Sequence, residues 1–183
     1  FYFTTSPMKL AYHIPDKLWW IHEFLPFHFY RDLHNSIIKQ RKKIKLHSAK
    51  GVWPDNLTTN IEAPHRSEVK NYKPFEELKI LTKHNPFFRL ECKEMSTIIH
   101  SMKKGAGINW HDDHTWKYGA TYYINRRWNE NWSGEFMFKD KNSHGYLPFR
   151  GNSLVIVKAP IQHKVNPVLS PIMPRMSIQI FMR

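Results

Sequence analysis

Residues 119–183 read GATYYINRRWNENWSGEFMFKDKNSHGYLPFRGNSLVIVKAPIQHKVNPVLSPIMPRMSIQIFMR. Five short runs in this stretch are rich in β-branched and aromatic residues: 119–125, 134–140, 153–159, 163–168 and 175–183. Gly, Pro, Asn and Ser separate them. Short strands at close spacing without intervening helices predict a sandwich or barrel. In the last run, Arg175, Ser177 and Gln179 fall on one face, and Met176, Ile178, Ile180 and Met182 on the other. That alternation predicts one core face and one polar face.

Upstream the texture changes. Residues 87–102 look extended, with a β-rich centre at 96–100. The segment PFEELKILTK (74–83) predicts a short helix, and 48–74, with Gly51, Pro54, Pro64 and Pro74, a long irregular connection. Pro26 suits the first turn of a helix whose apolar face is Tyr30, Leu33, Ile37 and Ile38. LWWIHEFL (18–25) reads as a strand. The expected class is α+β, mainly β: one domain over 1–183, in which 1–95 supplies supporting helices, loops and first strands and 96–183 a β core.

Composition sets outer limits. With 183 residues, 41% hydrophobic and 23% charged, the chain is globular rather than disordered. No apolar run approaches the ~20 residues of a membrane span, and Lys9, His13, Asp16 and Lys17 interrupt any signal-peptide core. The first residue is Phe1 rather than Met, so earlier residues are expected. Cys92 is the only cysteine, which points to a reducing, cytoplasmic setting, the host cytoplasm if the source is viral. There are 28 basic and 15 acidic residues, net +13, spread over both halves. The densest stretch is KQRKKIKLHSAK (39–50), which attracts polyanions without specificity. Nucleic-acid binding is therefore expected to be weak and salt-sensitive, and no membrane partner is expected.

The chemistry concentrates in WHDDHTW (110–116). In an extended strand, His111 and Asp113 would present an imidazole and a carboxylate to one side. One further neutral imidazole would complete a two-histidine, one-carboxylate triad, the non-haem Fe(II) oxygenase arrangement. Short H-x-D matches also arise by chance at polar strand ends. Asp112 and His114 form the same spacing on the opposite face, so two registers are open. His163, after the apolar run SLVIV, is a candidate third ligand. Arg175 suits a small dicarboxylate through a bidentate pair, with Ser177 adding a hydrogen bond. The other nine histidines, His100 among them, are read as surface or satisfied core residues. Trp110, Trp116, Trp128 and Trp132 flank the motif as core or platform residues.

The order H-x-D, YYIN, W…SGEF, P…G…LVIV, HKVNPV and R-x-S resembles the 2-oxoglutarate- and Fe(II)-dependent dioxygenases, most closely their prolyl 4-hydroxylase-like branch. The resemblance covers roughly residues 96–183. It implies a double-stranded β-helix, or cupin-like jelly roll, with supporting N-terminal helices. It implies His111, Asp113 and His163 as iron ligands and Arg175 and Tyr123 as partners of the distal carboxylate of 2-oxoglutarate. Ser177 would be a third contact and Phe181 part of the inner wall, with no catalytic residue beyond the ligands. Fe(II), 2-oxoglutarate and O2 are the implied cofactors, with ascorbate as an optional addition. The substrate would be a peptide, protein or small molecule, hydroxylated with release of succinate and CO2. A nucleic-acid oxygenase is the alternative, although Phe181 stands where that branch carries a second arginine. A non-catalytic jelly-roll binding module is the third possibility. Three departures are visible: the extra SPIMP segment (170–174) before Arg175, Glu135 in place of a second glycine, and no tyrosine in IIHSMKKGAG. His100, Ser101 or Met102 must then fill that wall.

Overall fold

The computed structural model describes residues 8–40, 46–48, 65–68 and 73–183, without the side chains of 38–40, 65–68, 73 and 74. Among the described residues, twelve strands form two antiparallel sheets. They are β1 (Lys9–Ile14), β2 (Leu18–His22), β3 (His47–Ser48), β4 (His65–Glu68), β5 (Met95–Met102), β6 (Ile108–His111), β7 (Tyr118–Tyr123), β8 (Phe136–Asp140), β9 (Ser143–Leu147), β10 (Ser153–Lys158), β11 (Gln162–Val165) and β12 (Arg175–Met182). The larger sheet runs β1-β2-β10-β7-β12-β5-β4-β3 and the smaller β6-β11-β8-β9. Together they make the expected mainly β double-stranded β-helix. No helix among the described residues is long and apolar enough to cross a membrane.

Helices α1 (Phe27–Gln40) and α2 (Lys73–Lys83) follow the predicted periodicity. Tyr30, Leu33 and Ile37 of α1 and Phe75 and Leu78 of α2 are buried in one cluster with Ile178, Ile180 and Met182 of β12. The helices therefore cover the outer face of the large sheet. Ile38, placed on the same stripe by spacing, has its side chain outside the described residues. The inner face meets the small sheet through Tyr123, Val155 and Val157 packed on Phe136, Phe138 and Leu147. Strands β7 and β10 are covered on both sides, which is why they read as continuous apolar runs rather than alternating ones.

Several boundaries differ from the sequence expectation. The 48–74 connection is not wholly irregular: β4 pairs with β5, and His47–Ser48 pairs with β4. The remainder of that connection, and the basic residues 41–45, lie outside the described residues. Strand β5 begins only at Met95; further upstream Asn85 Oδ1 accepts from the amides of Phe87 and Phe88 and makes a turn. Strands β1 and β9 lie at sheet edges with mostly exposed or half-buried side chains and so lack an alternating signal.

The SPIMP segment leaves the register of β12 intact, and Asn125 is the reason. Its Oδ1 accepts from Met176 N (2.7 Å) and its Nδ2 donates to Pro174 O (3.0 Å), while Tyr30 of α1 donates its hydroxyl to Asn125 O (3.0 Å). The start of β12 is thus pinned to β7 and to the first helix. Asn125→Ala leaves a buried amide and a carbonyl unpaired, at a cost of about 2–3 kcal/mol. Calorimetry should show Tm lowered by roughly 5–10 °C; an unchanged Tm would mean that Asn125 does not hold this segment.

Candidate metal and cosubstrate site

His111 and His163 are antiparallel neighbours, at the end of β6 and on β11. Directly opposed residues of such a pair share a face, and the two rings lie 4.3 Å apart. Each Nδ1 is bonded to a backbone carbonyl two residues back: His111 to Asn109 O (2.7 Å) and His163 to Ile161 O (3.0 Å). A carbonyl only accepts, so each Nδ1 carries the proton and each Nε2 keeps its lone pair. His163 Nε2 lies 3.5 Å from Asp113 Oδ2, and the ligand atoms of His111, Asp113 and His163 fall within 4.8 Å of one another. Among the described residues this is the one such cluster. Burial, then the neighbouring His163, pushes the His111 pKa down. The imidazole is thereby held neutral, the form that binds metal. Two imidazoles whose Nδ1 atoms are committed to backbone carbonyls, with one carboxylate, suit Fe(II).

The physical reason for convergence differs from the one expected. Strand β6 stops at His111, so Asp113 is not its same-face partner on a strand. Asp113 sits in the following turn, where its carbonyl accepts from Trp116 N (2.7 Å). Its carboxylate leans against Gly119 of β7: a Cβ at Gly119 would lie 2.4 Å from Asp113 Oδ2. The competing pair is occupied elsewhere. Asp112 Oδ1 accepts from His114 N (3.1 Å) and Nδ1 (2.9 Å), and its Oδ2 accepts from Gln162 Nε2 (3.0 Å). Asp112 is half-buried rather than facing solvent, and serves to close the loop.

Arg175 is 0% exposed. Its Nε donates to Gly134 O (2.9 Å) and Nη1 to Ser177 Oγ (3.4 Å). Met102 Sδ lies 3.6 Å from Nη1. The guanidinium lies over Tyr123 (5.0 Å) and near Phe149 (5.5 Å). Arg175 Nη2 and Tyr123 Oη are buried without a hydrogen-bond partner, and among the described residues Arg175 has no carboxylate within ion-pair distance. Burial pushes the Tyr123 phenol up against the opposing pull of Arg175, and pulls the Arg175 pKa down. An unpaired buried cation is costly, so the arrangement suits an anion. Gly134 adopts φ +82°, and a Cβ there would press on Arg175 Cδ at 3.0 Å.

A cavity inside the roll is lined by His111, Asp113, His163, Thr121, Gln179 and Phe181. Arg175, Tyr123 and Ser177 are not on its wall, but Ser177 is the cross-strand neighbour of both Tyr123 and His100, and His100 does line it. Of the three candidates for the missing tyrosine's place, His100 therefore faces the cavity. Phe181 is on the wall as expected, stacked on Trp116 at 5.7 Å. Arg183 pairs with Glu94 at the surface and is no substitute for Arg175. Glu135 is held by Ser133 Oγ (2.7 Å) and Asn166 Nδ2 (3.2 Å). Sequence reasoning missed Thr121 and Phe149. Thr121 follows from period-2 spacing to Tyr123, whereas Phe149 lies outside any strand and carries no local signal.

The model of the 2OG-Fe(II) oxygenase superfamily matches residues 97–183. No curated protein sequence matches the chain. Among solved structures, a Pseudomonas putida prolyl-4-hydroxylase aligns with a TM-score of 0.71 over 91% of this chain and 92% of that one, at 16% identity. A Trichoplax adhaerens prolyl hydroxylase, in complex with a hypoxia inducible factor oxygen degradation domain peptide fragment, gives 0.74 over 92% and 84%, at 11% identity. The viral collagen prolyl hydroxylase of Paramecium Bursaria Chlorella virus-1, in its 2OG complex, gives 0.65 over 92% and 97%, at 13% identity. At these identities the likeness is one of fold. With the family match and the His-Asp-His cluster, the chain is a 2-oxoglutarate-dependent non-haem Fe(II) dioxygenase, and its cofactors are Fe(II), 2-oxoglutarate and O2.

The contact between Gly119 and Asp113 gives a direct test. Gly119→Ala should displace the Asp113 carboxylate and weaken Mn(II) binding by about tenfold or more, the size of one charged ligand contact, with secondary structure retained by circular dichroism. Wild-type Mn(II) affinity in a folded Gly119→Ala protein would show that Asp113 needs no such space.

Proposed function

We propose that this dioxygenase hydroxylates a prolyl peptide or a related substrate, with His111, Asp113 and His163 as its iron ligands. Arg175 and Tyr123 hold the distal carboxylate of 2-oxoglutarate, and Ser177 supports the guanidinium. The observation that carries this assignment is the fully buried Arg175, with its free Nη2 beside the free Tyr123 hydroxyl, in the roll that also carries the His-Asp-His cluster. Residues 1–183 are taken as one catalytic unit in which α1 and α2 back the sheet that carries Arg175 and Tyr123.

When bound, iron with 2-oxoglutarate and O2 supplies the oxidising chemistry: one oxygen atom enters the substrate C–H bond and the other enters succinate, with release of CO2. The chain itself binds, orients and shields. The carbonyls of Asn109 and Ile161 keep the two imidazoles in the ligating tautomer. Arg175, stacked on Tyr123 and Phe149, fixes one end of the cosubstrate. Phe136, Val155 and Val157 keep the space around the cluster apolar and so limit water. No side chain is needed as acid or base for C–H cleavage.

A prolyl substrate is favoured by the fold likeness to three prolyl hydroxylases from different sources. The runner-up, a nucleic-acid substrate, is favoured by the net charge of +13. Against it, the position six after Arg175 holds Phe181 on the cavity wall. Uncoupled turnover of 2-oxoglutarate should be stimulated by a proline-containing peptide more than by any oligonucleotide. Oligonucleotide binding should vanish at a few hundred millimolar salt. Strong stimulation by single-stranded DNA or RNA at physiological salt would select the runner-up.

Two variant series test the residue roles. His111→Ala, Asp113→Ala and His163→Ala should each lose Mn(II) binding, whereas Asp112→Ala and His114→Ala should keep it; the reverse ranking in a titration would move the ligand set by one residue. Arg175→Ala should raise the 2-oxoglutarate KM about 30-fold or more with metal binding intact. Tyr123→Phe should cost about 1–2 kcal/mol, roughly 5–30-fold. An unchanged KM in Arg175→Ala would place the anchor elsewhere.

A further inference from the structure

The strand register orders the inner face of the large sheet into rows. Gly119 of β7 pairs with Phe181 of β12, Thr121 with Gln179, and Tyr123 with Ser177. Arg175 lies one row further, paired with Met102 of β5. The first row touches Asp113, because Gly119 abuts its carboxylate. The last rows carry the buried guanidinium and the Tyr123 hydroxyl. Successive rows are about 7 Å apart, two residues of strand. Thr121 and Gln179 therefore stand between the metal cluster and the cation.

These two side chains form a fixed pair. Thr121 Oγ1 donates to Gln179 Oε1 at 2.7 Å. Thr121 is 6% exposed and Gln179 9%, and both line the cavity shared with His111, Asp113 and His163. With its oxygen taken by Thr121, the Gln179 amide is oriented and its Nε2 keeps two donors. On the rest of the wall Val155, Val157, Phe136 and Phe181 are apolar, Asp113 is acidic, and His100 lies one row nearer Arg175, beside Ser177. A neutral donor at this height suits the keto-acid end of a short dicarboxylate whose other end lies toward Arg175.

We infer that Gln179, positioned by Thr121, donates a hydrogen bond to the keto-acid end of 2-oxoglutarate. This rests on the cosubstrate site proposed above. Thr121 is the positioning residue, since it acts through Gln179.

Calorimetric titration of 2-oxoglutarate into the Mn(II)-loaded, oxygen-free protein tests it without turnover. Gln179→Leu should raise the 2-oxoglutarate Kd about tenfold or more, the size of one hydrogen bond to a charged group, and leave the Mn(II) Kd unchanged. Thr121→Val, which keeps shape and removes only the orienting hydroxyl, should raise it about two- to fivefold. The double variant should be no worse than Gln179→Leu alone, because Thr121 acts only through the amide. A merely structural pair would instead lower Tm with no such coupling in Kd. A wild-type 2-oxoglutarate Kd in folded, Mn(II)-binding Gln179→Leu overturns the inference while leaving the Arg175 anchor standing. Additive losses in the double variant overturn the Thr121 role. Failure of the wild-type protein to bind 2-oxoglutarate at all overturns the underlying site as well, and is read in the same titration.

Discussion

A guanidinium with no carboxylate partner among the described residues is buried inside the β-helix, and much of the surrounding structure serves to keep it there. Burying an unpaired cation costs several kcal/mol. Arg175 offsets part of that through Gly134 O, Ser177 Oγ and the faces of Tyr123 and Phe149. What is left over, a free Nη2 beside a free tyrosine hydroxyl, is the pattern of a receptor for an anion. Replacing the arginine by a well-packed apolar residue is often neutral or favourable for stability alone. Its presence is better accounted for by ligand binding than by folding.

The constraint spreads outward through named contacts. Gly134 must lack a side chain, since a Cβ would press on Arg175. Asn125 must tie Pro174 and Met176 to β7, or the strand start that carries Arg175 would be free to slip. A one-residue slip would exchange Arg175, Ser177 and Gln179 for Met176, Ile178 and Ile180. Tyr30 of α1 grips the same asparagine, so the N-terminal helix bears on the end of the roll proposed to hold the cosubstrate. At the other end, β6 and β11 pair so that two imidazoles face each other, and each backbone carbonyl fixes a tautomer. The candidate metal end and the candidate anion end are thus carried mainly by different sheets. The cavity between them closes only when both sheets pack through Phe136, Val155 and Val157.

Much of this was legible in the sequence because it rests on periodicity. The stripe of Tyr30, Leu33 and Ile37 located α1, and the alternation in RMSIQIFM separated the core face of β12 from its inward polar face. His111 and Asp113 were named from their spacing and His163 from its place after SLVIV and the resemblance, and the three do cluster, but the reasoning for Asp113 was incomplete. A same-face rule for strands selected it, whereas the structure delivers it from a turn into the space left by Gly119. Long-range packing of that kind has no local signal. Nor do β1, β4 and β9, which lie at or near sheet edges and lack strong apolar alternation. Phe149 reaches Arg175 from outside any strand, and His100 was set aside as a core residue although it faces the cavity.

The most direct measurement is a crystal structure of the protein with Mn(II) and 2-oxoglutarate, with the metal located by its anomalous signal. The account predicts metal on His111, Asp113 and His163, with one carboxylate of 2-oxoglutarate in contact with Arg175 and the Tyr123 hydroxyl. Metal on Asp112 and His114, or a carboxylate bound away from Arg175, would contradict it.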